Sequence, residues 1–129
     1  MKRALASSKV AKTKGPYVQG VAVSNGTLIF TSGVVARDAA GQIVGAGDIR
    51  AQTRQCLENI RHIVEAGGGS LTDIAKVTVF LRDLGDYAGM NEVRREVLAQ
   101  VPFASSTVQA ALNAPEALVE IEAVAFVSS

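Results

Sequence analysis

Only two stretches of this chain carry apolar residues at helical spacing, and each carries them on one side. After Asp48, a residue suited to cap a helix N-terminus, Ile49, Thr53, Cys56, Leu57, Ile60, Ile63 and Val64 recur as one stripe. Gln52, Arg54, Gln55, Glu58, Arg61 and Glu65 fall largely opposite. Gly67 closes that helix, and the run Gly67-Gly68-Gly69 is a helix stop, because it follows a helix instead of opening one. A second helix is predicted from a cap at Asp86 to about Gln100, with Met90, Val93, Val97 and Leu98 on its buried side and Pro102 as its stop.

The other patterned stretches are strands. Val18 to Ser24 and Thr27 to Thr31 are predicted to form a hairpin on Asn25-Gly26, a pair that tolerates positive φ at both central turn positions. Leu28-Ile29-Phe30 is apolar on both faces and suggests a strand covered on both sides. A polar loop with turn residues Asp38 and Gly41 spans Arg37 to Gly47. In Ile74 to Leu81, Val77, Val79 and Leu81 face one way and Lys76, Thr78 and Phe80 the other. Ser105 to Leu112 is a strand of small and β-branched residues. In Val119 to Val127, the odd positions share one face, and Glu120, Glu122, Val124 and Phe126 share the other. The order is hairpin, helix, strand, helix, strand, strand: an α+β plan with a mixed sheet, in one domain over residues 1–129. Two one-sided helices cover one face of such a sheet. The second face still carries Phe80, Val124 and Phe126, and a symmetric homo-oligomer is the simplest way to bury it. Patterning alone does not tell a dimer from a trimer.

Composition narrows the function. Hydrophobic residues make up 48% and charged residues 19%, a low charge density for the surface of a lone small domain. The net charge is +1 and the basic residues are scattered, so no stripe follows a nucleic-acid backbone. The basic start Met1-Lys2-Arg3 is not followed by an apolar signal region, and no apolar run is long enough to span a bilayer. A single cysteine, Cys56, excludes an intrachain disulfide and fits a reducing compartment. The expectation is a cytoplasmic protein with neither membrane nor nucleic acid as partner. One His and one Cys do not make an ordinary zinc site, and no phosphate-loop or dinucleotide fingerprint is present, so no cofactor is expected.

The strongest functional signal is a set of short pieces in order: Gly15-Pro16-Tyr17-Val18-Gln19-Gly20, Phe30-Thr31-Ser32-Gly33, Asp48-Ile49 with Gln52-Thr53, and Leu57-Glu58-Asn59-Ile60. Asp73 with Lys76-Val77-Thr78-Val79-Phe80-Leu81, Asp86-Tyr87 with Asn91, and Val119-Glu120-Ile121-Glu122-Ala123-Val124-Ala125 complete it. On these pieces the chain resembles the RidA/YjgF family of enamine and imine deaminases along nearly its whole length. The stretch from Asp48 through Asn91 is also similar to the 2-aminomuconate deaminase branch of that superfamily. The resemblance implies a chorismate-mutase-like fold, a homotrimer with a central barrel of sheets, clefts at the subunit boundaries, and cofactor-free hydrolysis of a small imine.

Such hydrolysis needs a held substrate, an exposed C=N carbon and a positioned water. Carried over from the family, Glu120 positions the water. Tyr17 and Asn91 line the cleft, with Ser32 and Gly33 as the Ser-Gly pair. Thr107 falls just beyond the carboxylate-gripping position. That position, usually arginine, is Ser105 here, and Val34 stands where many members have Gln. A guanidinium–carboxylate pair uses two charge-assisted hydrogen bonds, so its loss is worth roughly 10²- to 10⁴-fold in binding or turnover. Arg37, Arg82 and Arg94 are the candidates to supply the cation from elsewhere in the chain or across a subunit boundary. Ser105 has no neighbouring His that would make it a nucleophile, and His62 is expected on a solvated helix flank. The readings in competition are an enamine/imine deaminase acting on a substrate other than the standard 2-imino acids, and a trimer that binds a small metabolite in its intersubunit clefts without deaminase activity. An RNA-cleaving role ranks last, for want of basic charge and of a catalytic His pair.

Overall fold

The structure is a computed structural model that describes residues 1–129. Six strands and two α-helices follow one another as β1 (Lys2–Leu5), β2 (Gly20–Val23), β3 (Gly26–Phe30), α1 (Ile49–Ala66), β4 (Ile74–Leu81), α2 (Tyr87–Val97), β5 (Ala104–Gln109) and β6 (Val119–Ser128). The main sheet has the order β3-β6-β4-β5. β4 and β5 run parallel, as a crossover through α2 allows, and the other pairs are antiparallel.

Both helices lie on one face of this sheet. Val77, Val79, Leu81, Val119, Ile121, Ala123 and Ala125 point into that layer and meet Cys56, Leu57, Ile60 and Val64 of α1 and Met90 and Val93 of α2. Each fully buried Val or Leu here contributes about 1.5–3 kcal/mol relative to an exposed one. The opposite face is open over much of its area, with Leu28 47% and Phe30 70% exposed and Val108 joining them, whereas Phe126, expected to need a partner chain, is buried at 4% exposure within the single chain. The α+β plan with two helices on one side of a mixed sheet therefore holds. The expected second cover over Leu28-Ile29-Phe30 is missing within a single chain.

The N-terminal hairpin is corrected. β2 pairs with β1, in the register Lys2↔Val23 to Leu5↔Gly20, and β3 pairs with the C-terminal strand, from Gly26↔Ser128 to Phe30↔Val124. Only Asn25 takes positive φ, at 58°. A two-residue hairpin turn needs positive φ at both positions, so Asn25 instead turns the chain from one sheet into the other. Gly26 is there for space: a Cβ would collide with the Val127 carbonyl and the Phe126 ring.

The helix and strand ends shift in explicable ways. Asp48 caps α1, its carboxylate accepting the Ala51 N–H at 3.1 Å. Ile63, placed in the stripe by spacing, is 37% exposed because it lies at the stripe's edge, beside the loop from Gly33 to Ala39. The Asp86 side chain makes no cap bond; Asp83 accepts from Gly85 N–H instead. α2 ends at Val97, not near Gln100, since Gln100 has φ 65°. β5 stops at Gln109, short of Leu112, because Arg82 draws the Leu112 and Ala114 carbonyls out of the sheet line.

Candidate functional site at the free edge of β5

β5 is the edge strand on its side of the sheet, and its register with β4 decides what it presents. Ser105 sits opposite Val77 and Thr107 opposite Val79, both fully buried, so Ser105 and Thr107 face the helix layer. The N-terminal segment docks just before β5, where Val18 N–H donates to the Phe103 carbonyl at 2.9 Å. Tyr17, Tyr87, Ser105, Ser106, Thr107 and Val108 together line a pocket of about 490 Å³.

Behind this pocket lies Arg94 of α2, with no solvent exposure. Its Nη1 donates to Ser105 Oγ at 2.8 Å, and its Nη2 donates to Asn91 Oδ1 at 3.0 Å and to Tyr87 Oη at 3.3 Å. The guanidinium carbon stands 5.6 Å from the centre of the Phe103 ring, a cation–π distance. Arg94 Nε is the one buried side-chain nitrogen or oxygen with no partner. Burial pulls the guanidinium pKa below its usual value, and Tyr87 opposes that fall. Arginine nonetheless remains charged.

The other two candidate arginines are engaged elsewhere. Arg82 donates to the carbonyls of Ala117, Leu112 and Ala114. Arg37 is exposed and donates to Gly41 in its own loop. Of the three candidate arginines, Arg94 is thus the one that touches Ser105.

The remaining predicted residues divide. Tyr17, Ser105 and Thr107 share the pocket, and Asn91 stands behind it as a support for Arg94. Glu120 does not join them. It pairs with Phe80 on the uncovered face, and sheet geometry sets it roughly 14 Å from Ser105 along the sheet. Ser32 and Gly33 accompany Glu120: a Cβ on Gly33 would strike its carboxylate, so glycine lets the two approach. One chain therefore places the predicted residues in two groups on opposite faces. Residues 87, 91 and 94 fall within one helical sector, and that polar triplet on α2 is the signal that would have exposed Tyr87 and Arg94.

Two other reactive side chains stay apart from the pocket. Cys56 is buried, and its pKa is pushed up to about 12 by burial and then by the charge of Glu120, so it is a neutral core thiol. His62 is exposed beside Glu58 on the helix surface, as its place on the flank suggested. No three His, Cys, Asp or Glu side chains gather to hold a metal, and no helix is long and apolar enough to cross a membrane.

Fold and pocket define an α+β protein with a solvent-open site at a sheet edge, and comparison with known proteins makes the class specific. The family model described as Endoribonuclease L-PSP matches residues 7–127. The chain is 40% identical over 129 residues to the 2-iminobutanoate/2-iminopropanoate deaminase of Salmonella typhimurium, covering 97% of this chain and 98% of the relative. It is 40% identical over 112 residues to the 3-aminoacrylate deaminase RutC of Acinetobacter baylyi, covering 87% of each. Among solved structures, the Rid-family protein YyfB of Yersinia pestis, described as of unknown function, aligns with a TM-score of 0.86 at 26% identity over 98% of both chains. The chain belongs to the RidA/YjgF family.

Proposed function

We propose that this chain is an enamine/imine deaminase-type hydrolase that releases ammonia from a small reactive enamine or imine, working as a homotrimer with its clefts at subunit boundaries. Water adds to the C=N carbon, the C–N bond of the resulting carbinolamine breaks, and ammonia and a carbonyl product leave. Glu120 accepts a hydrogen bond from the attacking water. Tyr17, Thr107, Ser32 and Gly33 shape the cleft, and neither cofactor nor nucleic acid takes part. Because Glu120 and Ser105 face opposite sides of one sheet, a cleft that uses both draws them from neighbouring chains, which supports the boundary placement.

The observation that carries this reading is the Arg94 guanidinium 2.8 Å from Ser105 Oγ. The position has lost the family's arginine without losing a cation. With Ser105 at the contact point, the preferred substrate differs from the standard 2-imino acids.

The test is ammonia release from freshly generated 2-iminobutanoate, 2-iminopropanoate and 3-aminoacrylate. The native chain is expected to accelerate at least one of these over spontaneous hydrolysis, and Glu120→Ala to lower that rate by about 10²-fold or more. A native chain inert on all three would overturn the reading in favour of a metabolite-binding trimer.

A further inference from the structure

We infer that Arg94 recognises a substrate carboxylate at one remove: the Ser105 and Tyr87 hydroxyls each accept a hydrogen bond from the buried guanidinium and donate their own protons to the anion in the β5-edge pocket. Tyr87 thereby becomes a binding residue and Arg94 a positioning residue that acts through both hydroxyls. The identity of the anion rests on the deaminase reading; the receiver itself does not.

A fully buried cation ordinarily has an anionic partner. Arg94 has none: its acceptors are two hydroxyls and an amide oxygen, all neutral, and its Nε has no partner. The chain's carboxylate pairs lie on the helix surfaces, at Arg50–Glu92, Arg54–Glu96 and Arg61 with Glu58 and Glu65. The missing negative charge is therefore to be sought in a ligand, and the chemistry of the acceptors says where. A hydroxyl that accepts on a lone pair still holds a donor. Ser105 and Tyr87 both line the pocket, so their remaining protons have an anion-sized space to point into. Accepting from a cation also polarises each O–H and makes it a stronger donor.

Geometry favours a carboxylate. Ser105 and Tyr87 hang on the two terminal nitrogens of one planar guanidinium, a fork that matches two carboxylate oxygens. The Asn91 amide oxygen, which accepts from the same Nη2 as Tyr87, and the Phe103 ring also hold that fork. A second cation at position 105 would crowd the first, so an arginine at 105 and Arg94 are alternatives.

The experiment titrates 2-oxobutanoate, the stable ketoacid corresponding to an imino acid, and its neutral amide into the native protein and the Ser105→Ala, Tyr87→Phe and Arg94→Met variants. Calorimetry reads affinity and thermal melting checks the fold. The native protein is expected to bind the carboxylate and not the amide. Each hydroxyl deletion should weaken carboxylate binding about tenfold. Adding Arg94→Met to the two deletions combined should weaken binding no further, because the charge acts through those hydroxyls. Ser105→Arg should bind less well than Ser105→Arg combined with Arg94→Met. Native-like affinity in Ser105→Ala and Tyr87→Phe, or a native protein that does not bind 2-oxobutanoate, would overturn the receiver. Imine clearance with KM unmoved in those two variants would sink the receiver and leave the deaminase reading standing. Carboxylate binding as described without imine clearance would do the reverse.

Discussion

Gln52 on α1 and Arg94 on α2 are both wholly shielded from solvent, yet they are satisfied in opposite ways. Gln52 Nε2 donates to the carbonyls of Gly45 and Glu116, and its Oε1 accepts from Leu118 N–H at 2.8 Å. Every partner is backbone, and together they tie two loops to the helix. Arg94 instead meets side-chain oxygens at the wall of a pocket and keeps one nitrogen unpaired. A backbone carbonyl that accepts such a bond has no proton to pass on, whereas a hydroxyl does. Arg82 sorts with Gln52, because its three acceptors are carbonyls of the segment before β6. A buried polar group held by backbone is a staple; one held by hydroxyls beside a cavity is poised for a ligand.

The largest effect that would sharpen this contrast is on stability. Gln52→Ala should lower the unfolding free energy by about 3 kcal/mol, since it strands backbone groups in addition to opening a cavity. Urea denaturation measures it, and a loss below about 1 kcal/mol would erase the distinction from the Gln52 side. Arg94→Met should leave stability unchanged or raise it by about 1 kcal/mol, because an apolar side chain of similar size replaces a buried charge without an ionic partner. The same denaturation curve showing a loss of about 3 kcal/mol would make Arg94 a staple like Gln52. The smallest effect belongs to the rim between the two helices. Arg54→Ala breaks the exposed 2.7 Å pair with Glu96 and should cost no more than about 0.5 kcal/mol. A larger loss in a double-mutant cycle with Glu96→Ala would mean that α1 and α2 are joined by their rim and not by their buried contacts.

Local periodicity made some elements legible and left others open. α1 from Asp48 and the strands β4 and β6 follow from spacing, since each buries a face that only one secondary structure can present. The N-terminal hairpin did not follow. The alternation of Thr27 to Thr31 suits either β2 or β6 as a partner, and the choice depends on residues about a hundred positions away. The pieces carrying the family resemblance included Tyr17, and positions carried over from the family added Ser105 and Thr107, which line one pocket with it. They also named Glu120, which a single chain holds on the other face. Arg94 was one of three equal candidates, because a polar residue at helical spacing has the same sequence signature whether it faces water or a strand.

The sequence by itself determined the family, the α+β plan, the one-sided cover of the sheet and the serine at position 105, all of which are properties of residue identity, order and local period. The tertiary structure alone decided which strand β3 joins and which arginine reaches Ser105, because α2 crosses the sheet beside β5 and turns Tyr87, Asn91 and Arg94 toward it. Those outcomes depend on contacts between distant segments, and their energies are set by burial and by the partners each group finds, which no local pattern records.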